Sequence, residues 1–521
     1  MDSFRSQYDA LSGEREGFLQ QARLQSELTI PSLIPPDGHG SSYQDLYKPF
    51  QSIGAFGVNA LANKLATALF PISEPFFKFE AVASQEEFES LDAKALQQLD
   101  ESMAQLEQEI MGHVMRRADN AAVAEILKHL LVSGNALLYV GDERSRVYSL
   151  NDYVAVRDGM GNLLKVITKD TLSYETFKQA HPGLSEVHNS HQGNRTWVPK
   201  AIEVYTCMYL KDNQWVIQEE AAGVKLSETV AKYPFDQPPY LALRFNRLDG
   251  QSYGRAYAEN LYGDLRSLEN LSKAMVEGAA INSRVVFCVD PGGTVSMKRF
   301  EESPNGGVIV GNARDVTAIR VEKSADLAVT ASEIQRLEAR LSQAFMLSGS
   351  QRDAERVTAT EIRATTQEIE GILGGLYAVL SEEFQRPYIT RLITILQMTG
   401  KIPEWPRELV DVSIVTGSAG IGRGVDRDKL GQFFSVMQSL GAEVFEKYIH
   451  LDGAISRLAA SYGIDTSGLV KSVEEMQAET AQNQEMAMAS ALGPNAISAA
   501  GQVATEQVKQ QGENNGNQEQ V

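Results

Sequence analysis

Cysteine is almost missing from this chain: Cys207 and Cys288 are the only two among 521 residues, and they form no motif. That excludes a disulfide framework and a cysteine-built zinc site, and it suits a reducing cytosol. No apolar run approaches the ~18 residues of a membrane span. The N-terminal MDSFRSQYDALSGERE has neither a basic lead nor an apolar segment, so no signal peptide is expected. Histidine is scarce, at seven residues, and no G-x-S-x-G occurs, which leaves no convincing nucleophilic triad. Basic residues are outnumbered, 48 Lys and Arg against 68 Asp and Glu, for a net charge of −20. Gripping nucleic acid needs a basic surface, because phosphate neutralisation dominates that affinity. The chain as a whole repels DNA, so DNA is either irrelevant to it or touched without being held.

What remains is ordinary for a globular protein, 43% hydrophobic and 22% charged residues. The length allows a large core and roughly two to four domains. The organising stretch is Ser252–Val286, with Leu261, Leu265, Leu268, Leu271 and Met275 on one helical face. Its other faces carry Arg255, Glu259, Asp264, Arg266, Glu269, Lys273 and Glu277. Glu269, Lys273 and Glu277 stand at i, i+4, i+8, a charge ladder in which each pair contributes about 0.3 kcal/mol.

In chain order, residues 14–28 and 43–70 read as helices, the second stopped by Pro71 and Pro75. A capping box at Ser84–Glu87 precedes the periodic Leu96, Leu99, Met103, Leu106, Ile110 and Val114, and residues 121–132 form another helix. From Ala136 to Leu248 the period falls to two: an antiparallel β-rich module, with hairpins at Asp158–Gly161 and at Lys211–Gln214 and a polar connector over 180–196. Residues 287–324 alternate Gly and Pro with short Val/Ile runs, a small β insert between two long helices. The second of these begins near Ala325, with Ile334, Leu337, Leu341 and Phe345 on its apolar face. A charged loop, Ser348–Arg356, leads into a capping box at Thr358–Glu361 and a helix that Pro387 bends or breaks. Short helices fill 429–462, and 486–521 reads as disordered.

Chemistry-bearing motifs are few. Asp411–Gly424, DVSIVTGSAGIGRG, imitates a dinucleotide-binding turn. Its spacing is G-x-G-x-G rather than G-x-G-x-x-G, and it lacks a βαβ unit and a Walker lysine. His181, His188 and His191 sit in the polar connector without a Cys or carboxylate at ligand spacing. Lys298 and Arg299 are a basic pair suited to a phosphate or to a solvated turn. These residues call for no catalytic residue, cofactor or metal.

An ordered set of stretches carries a stronger signal: TIPSLIP, LANKLATALFPISEPFFKFE, LVSGNALLYV, RLDGQSYGRAYAENLYGDLRSLENL, EIQRLEARLSQAFML, ERVTATEIRAT, GGLYAVLSEEFQRP, GIGRGVDRDKL and YGIDTSG. From Thr29 to Gly468 the chain resembles the portal, or head–tail connector, proteins of short-tailed podovirus-type phages. The connector over 180–196 and the tail after about residue 471 match nothing in that family.

The resemblance implies a mainly helical α+β fold in a ring of about twelve copies at one capsid vertex. Residues 1–251 would form the wing, 252–286 the first stem helix, 287–324 the clip, 325–347 the second stem helix, 348–404 the channel loop and long bent helix, 405–470 the crown and 471–521 a largely disordered tail. Its implied partners are double-stranded DNA, the terminase motor, the major capsid and scaffolding proteins, and the tail adaptors. It implies a virion component assembled in the host cytoplasm, and no enzyme. Glu259, Asp264, Glu269, Lys273 and Glu277 on the stem, with Arg352 and Arg356 in the channel loop, are the expected channel residues. Lys298 and Arg299 are the expected contacts of the clip with motor or adaptor. Twelve helices at ~10 Å spacing leave a bore of roughly 28 Å, wide enough for a duplex of about 20 Å. A ring carrying roughly −240 formal charge would let DNA slide rather than stick. The alternatives are another structural virion protein, such as a tail tube or adaptor, and a nucleotide-using enzyme built on Gly417–Gly424.

Overall fold

The computed structural model describes residues 3–36, 45–71, 75–81, 93–117, 119–181, 201–282, 286–304, 307–319, 324–347, 375–403 and 410–414, with Phe433 and Ser435. The chain divides into two compact units, Met1–Gly422 and Arg423–Val521, and every element named below belongs to the first. The helices are α1 Phe4–Glu27, α2 Ile53–Leu69, α3 Ala93–Arg116, α4 Asn120–Ser133, α5 Tyr174–Ala180, α6 Tyr257–Asn282, α7 Met297–Glu301, α8 Ser324–Ala344, α9 Leu376–Leu380 and α10 Arg386–Met398. The strands are β1 Phe77–Ala81, β2 Asn135–Val140, β3 Ser145–Tyr148, β4 Tyr153–Arg157, β5 Leu163–Ser173, β6 Ala201–Lys211, β7 Gln214–Ala221, β8 Val224–Pro234, β9 Tyr240–Arg244, β10 Val286–Val289, β11 Val316–Ile319 and β12 Val410–Ile414.

The β-rich module is two sheets. β4 to β8 form an antiparallel meander in chain order, and β3, β2 and β9 form a second sheet in that order. The hairpin expected at Lys211–Gln214 is present, with Asp212 and Asn213 both at positive φ, 51° and 58°, as a two-residue primed turn demands. β8 is a strand the sequence pattern hides, because VKLSETVAKYP alternates Lys, Glu and Ser with few strong β formers. It lies at the sheet edge, where such residues discourage pairing with other chains.

α1 covers both sheets and starts at Phe4 rather than near residue 14. The Ser3 hydroxyl caps it by accepting from Ser6 N at 3.1 Å. Phe4 and Tyr8 then pack on Val154, Ile167 and Tyr205 of the meander, while Leu19 and Ala22 pack with Leu137 and Tyr148 of the smaller sheet. The largest core is helical: Leu61 and Leu65 of α2, Ile126 and Leu130 of α4, and Ile389 and Leu392 of α10 are all buried together.

The helix expected over 43–70 begins only at Ile53; residues 45–52 run as a non-helical strap. Near Pro387 the expected irregularity is a π turn, Ser381–Gln385, directly before α10. Proline supplies no N–H to the carbonyl four residues back, so the helix widens there. The capping boxes at 84–87 and 358–361, the loop Ser348–Arg356, the glycines Gly417–Gly424, His188, His191 and, apart from Phe433 and Ser435, the helices expected over 429–462 lie outside the described residues.

Candidate functional site

α6 and α8 form an antiparallel hairpin. Reading along α6 from Tyr257 through Asp264 to Gly278, the partners on α8 descend from Ala344 through Arg340 to Leu327. The Tyr257 hydroxyl donates to Ala344 O at 2.8 Å. Arg340 donates to the Asp264 carboxylate. At Gly278 an added Cβ would sit 3.4 Å from Leu327, so the helices run close there too.

The root of the hairpin is fixed in the helical core. Leu265 and Leu268 of α6, with Leu337, Leu341 and Phe345 from α8 and its end, belong to the buried cluster. Phe345 packs against α2 at Gly57, where a Cβ would collide with the ring. Beyond this root, no described residue of α6 from Lys273 onward is buried, and none of α8 before Leu337. The hairpin therefore projects from the body with the two-stranded β10–β11 sheet at its far end. This projecting part exposes Val276, Ile281, Phe287, Met297, Val308, Val310 and Val329.

The expected channel residues fall into three groups. Glu259 pairs with Arg255 at 2.8 Å on the rooted half, and Asp264 binds Arg340 between the two helices. Lys273 and Glu277 lie exposed on the projecting half, as do Lys298 and Arg299 on the short α7. Arg352 and Arg356 lie outside the described residues.

Glu269 is a correction. It is 4% exposed and does not join a surface ladder with Lys273 and Glu277. Its carboxylate accepts from the Tyr47 hydroxyl at 2.5 Å, from Phe50 N at 3.0 Å and from Gln51 N at 3.3 Å. Those backbone donors lie just before the N-terminus of α2, where a carboxylate is favoured. The hydrogen bond to Glu269 pushes the Tyr47 hydroxyl up to about 12, because the phenolate would face the carboxylate. The reason is visible in the spacing: Glu269 stands four residues after Leu265, on the buried row. Tyr257 and Arg340 were also missed. The apolar rows of the two helices locate their faces, but which side chains meet depends on the register of the hairpin.

Among the described residues, no group of three or more His, Cys, Asp or Glu is placed to hold a metal ion. A family model for bacteriophage head to tail connecting proteins matches residues 1–470. The chain belongs to that family. The portal protein of Escherichia phage T7 is 37% identical over 502 residues, 94% of this chain and 91% of the relative. That of Enterobacteria phage T3 is 37% identical over 487 residues, 92% and 90% of the two chains, and that of Enterobacteria phage SP6 is 31% identical over 489 residues, 92% of each. The function of this head–tail connector is accordingly that of a phage portal. Among solved structures, a chain in the neck of an empty GTA particle computed with C6 symmetry overlaps 80% of this connector and 90% of its own length. Its TM-score of 0.36 and 12% identity carry no argument, so the assignment rests on the sequence relatives.

Proposed function

We propose that copies of this chain close into a ring of about twelve at one capsid vertex, through which double-stranded DNA enters and later leaves. The projecting α6–α8 hairpin supports this most directly. The projecting pair exposes Val276, Ile281 and Val329, and lateral packing in a ring would cover such residues. In this reading the hairpins form the channel wall, with Lys273 and Glu277 among the charges on its projecting part. Arg352 and Arg356 retard or hold the DNA. The clip, with Lys298 and Arg299, meets the terminase motor and then the tail adaptors, while capsid and scaffolding proteins hold the ring in the shell.

The role is mechanical rather than enzymatic, in a virion part assembled in the host cytoplasm. The acidic balance of −20 per chain supports passage over retention, since a net negative wall offers DNA little to bind. Negative-stain microscopy of the purified chain tests the ring, and alanine at both Arg352 and Arg356 tests the braking role. The double variant is expected to form normal rings but to alter packaging or retention of the genome. Normal packaging and retention would remove the two arginines from the mechanism.

A further inference from the structure

A cleft of about 260 Å³ opens where α1, the end of α4 and the start of α6 meet. Gly17, Phe18, Ala22 and Gln25 of α1 form one wall, and Arg255 and Glu259 stand on the other. Its walls are fixed in advance. Asn135 Nδ2 donates to Gly254 O at 2.9 Å, and Gly254 N donates back to Asn135 Oδ1 at 2.7 Å. Arg255 is held by Glu259 at 2.8 Å and lies over the Phe18 ring, 5.5 Å from its centre.

Two features of the cleft point to an occupant. Gln25 is 2% exposed, yet its Oε1 has no hydrogen-bond partner among the described residues. A buried amide oxygen in that state is costly unless something donates to it. Gly17 stands in the middle of α1, where glycine weakens a helix relative to alanine. Its backbone is ordinary helix, and an added Cβ would meet nothing within 4 Å. The packing of α1 therefore gives no reason for glycine at 17, whereas a cleft kept open beside it does.

We propose that one side chain of the next copy, with an apolar stem and an N–H or O–H at its tip, enters this cleft and donates to Gln25 Oε1. The volume lies below the ~300–1,000 Å³ of ordinary small-molecule pockets, which suits a single inserted side chain. Phe18 and Ala22 receive the stem. The occupant is a second copy because the cleft continues an exposed face of the α6–α8 hairpin. From Glu259 at the rim, Arg266, Lys273, Glu277 and Ile281 follow at steps of seven, seven, four and four residues, so they lie along one line of α6, and all four are exposed. A neighbour packed along that line arrives at the cleft. The inference rests on the ring reading above and assigns the contact at the root of the hairpin, where two different surfaces of one chain meet and the contact repeats until it closes.

Filling the cleft tests it. Full-length Gly17→Leu is expected to keep or raise the unfolding midpoint of the single chain, because a better helix former enters open space. It is expected to raise the protein concentration needed for half-assembly by about tenfold. Gly13→Leu, one turn earlier, also meets nothing within 4 Å and does not line the cleft, so it is expected to assemble as the unmodified chain does. A benzophenone photo-cross-linking side chain placed at Gln21, which also lines the cleft, is expected to join chain to chain in assembled rings. Gly17→Leu rings at unchanged concentration would overturn the proposal and leave the ring reading standing. Cross-links confined to single chains would overturn it in the same way, by showing that the chain covers its own cleft. An unmodified chain that forms no rings would overturn both.

Discussion

Glu269 is the residue whose meaning changes most between pattern and structure. As a surface charge it would contribute a few tenths of a kcal/mol. As a buried acceptor for three donors it ties the strap over 45–51 to α6. Glu269→Gln replaces charge-assisted hydrogen bonds with neutral ones and leaves an amide N–H₂ facing donors, which predicts a loss of about 1–3 kcal/mol in urea unfolding. A loss under about 0.5 kcal/mol would show that the carboxylate does not anchor the strap.

His129 on α4 offers a pH test. Burial lowers its pKa from 6.5 to about 4, and its Nδ1 has no hydrogen-bond partner among the described residues. The unfolded chain takes up a proton below pH 6.5 that the folded chain refuses until about pH 4. This contribution to stability is therefore complete above pH 6.5 and is lost as pH falls towards 4, by about 1.4 kcal/mol per pH unit. His129→Leu is expected to flatten the fall in unfolding midpoint between those pH values, and an unchanged slope would contradict the assignment.

At the scale of elements, the α6–α8 hairpin shows what was legible and what was not. Leu265, Leu268, Leu337 and Leu341 declare two amphipathic helices because their spacing is local information. The pairing of Asp264 with Arg340 and of Tyr257 with Ala344 is not local, since it depends on where the intervening segment returns the chain. The strap was misread for a related reason: its residues suit a helix, but a carboxylate more than two hundred positions away takes its backbone donors. β8 stayed hidden because an edge strand needs no apolar alternation. The channel arginines and the glycine loop lie outside the described residues, so their reading rests on sequence alone.

The root of the hairpin and its surface pairs differ in energy. Leu268→Ala is expected to cost about 2–5 kcal/mol by leaving a cavity among α2, α6 and α8. Gly57→Ala is expected to cost about 1–3 kcal/mol, because the new methyl meets the Phe345 ring. Arg340→Ala, at a half-exposed ion pair, is expected to stay below about 1 kcal/mol. Thermal unfolding of the three variants checks the order, and an Arg340 effect as large as that of Leu268 would contradict it.

At the scale of the whole molecule, the family assignment and the projecting hairpin lead to one assembly. A chain of net charge −20 offers phosphates little overall electrostatic attraction, yet its relatives are portals. The proposed ring would reconcile the two by enclosing the duplex instead of binding it. Val276 and Ile281 are exposed on the projecting half, so Val276→Asp with Ile281→Asp is expected to leave the fold and its unfolding midpoint nearly unchanged while abolishing assembly. Negative-stain microscopy of the unmodified full-length chain tests this account most directly. It predicts closed rings of about twelve copies with a central hole of roughly 28 Å, whereas uniform single subunits or open filaments without a hole would contradict it.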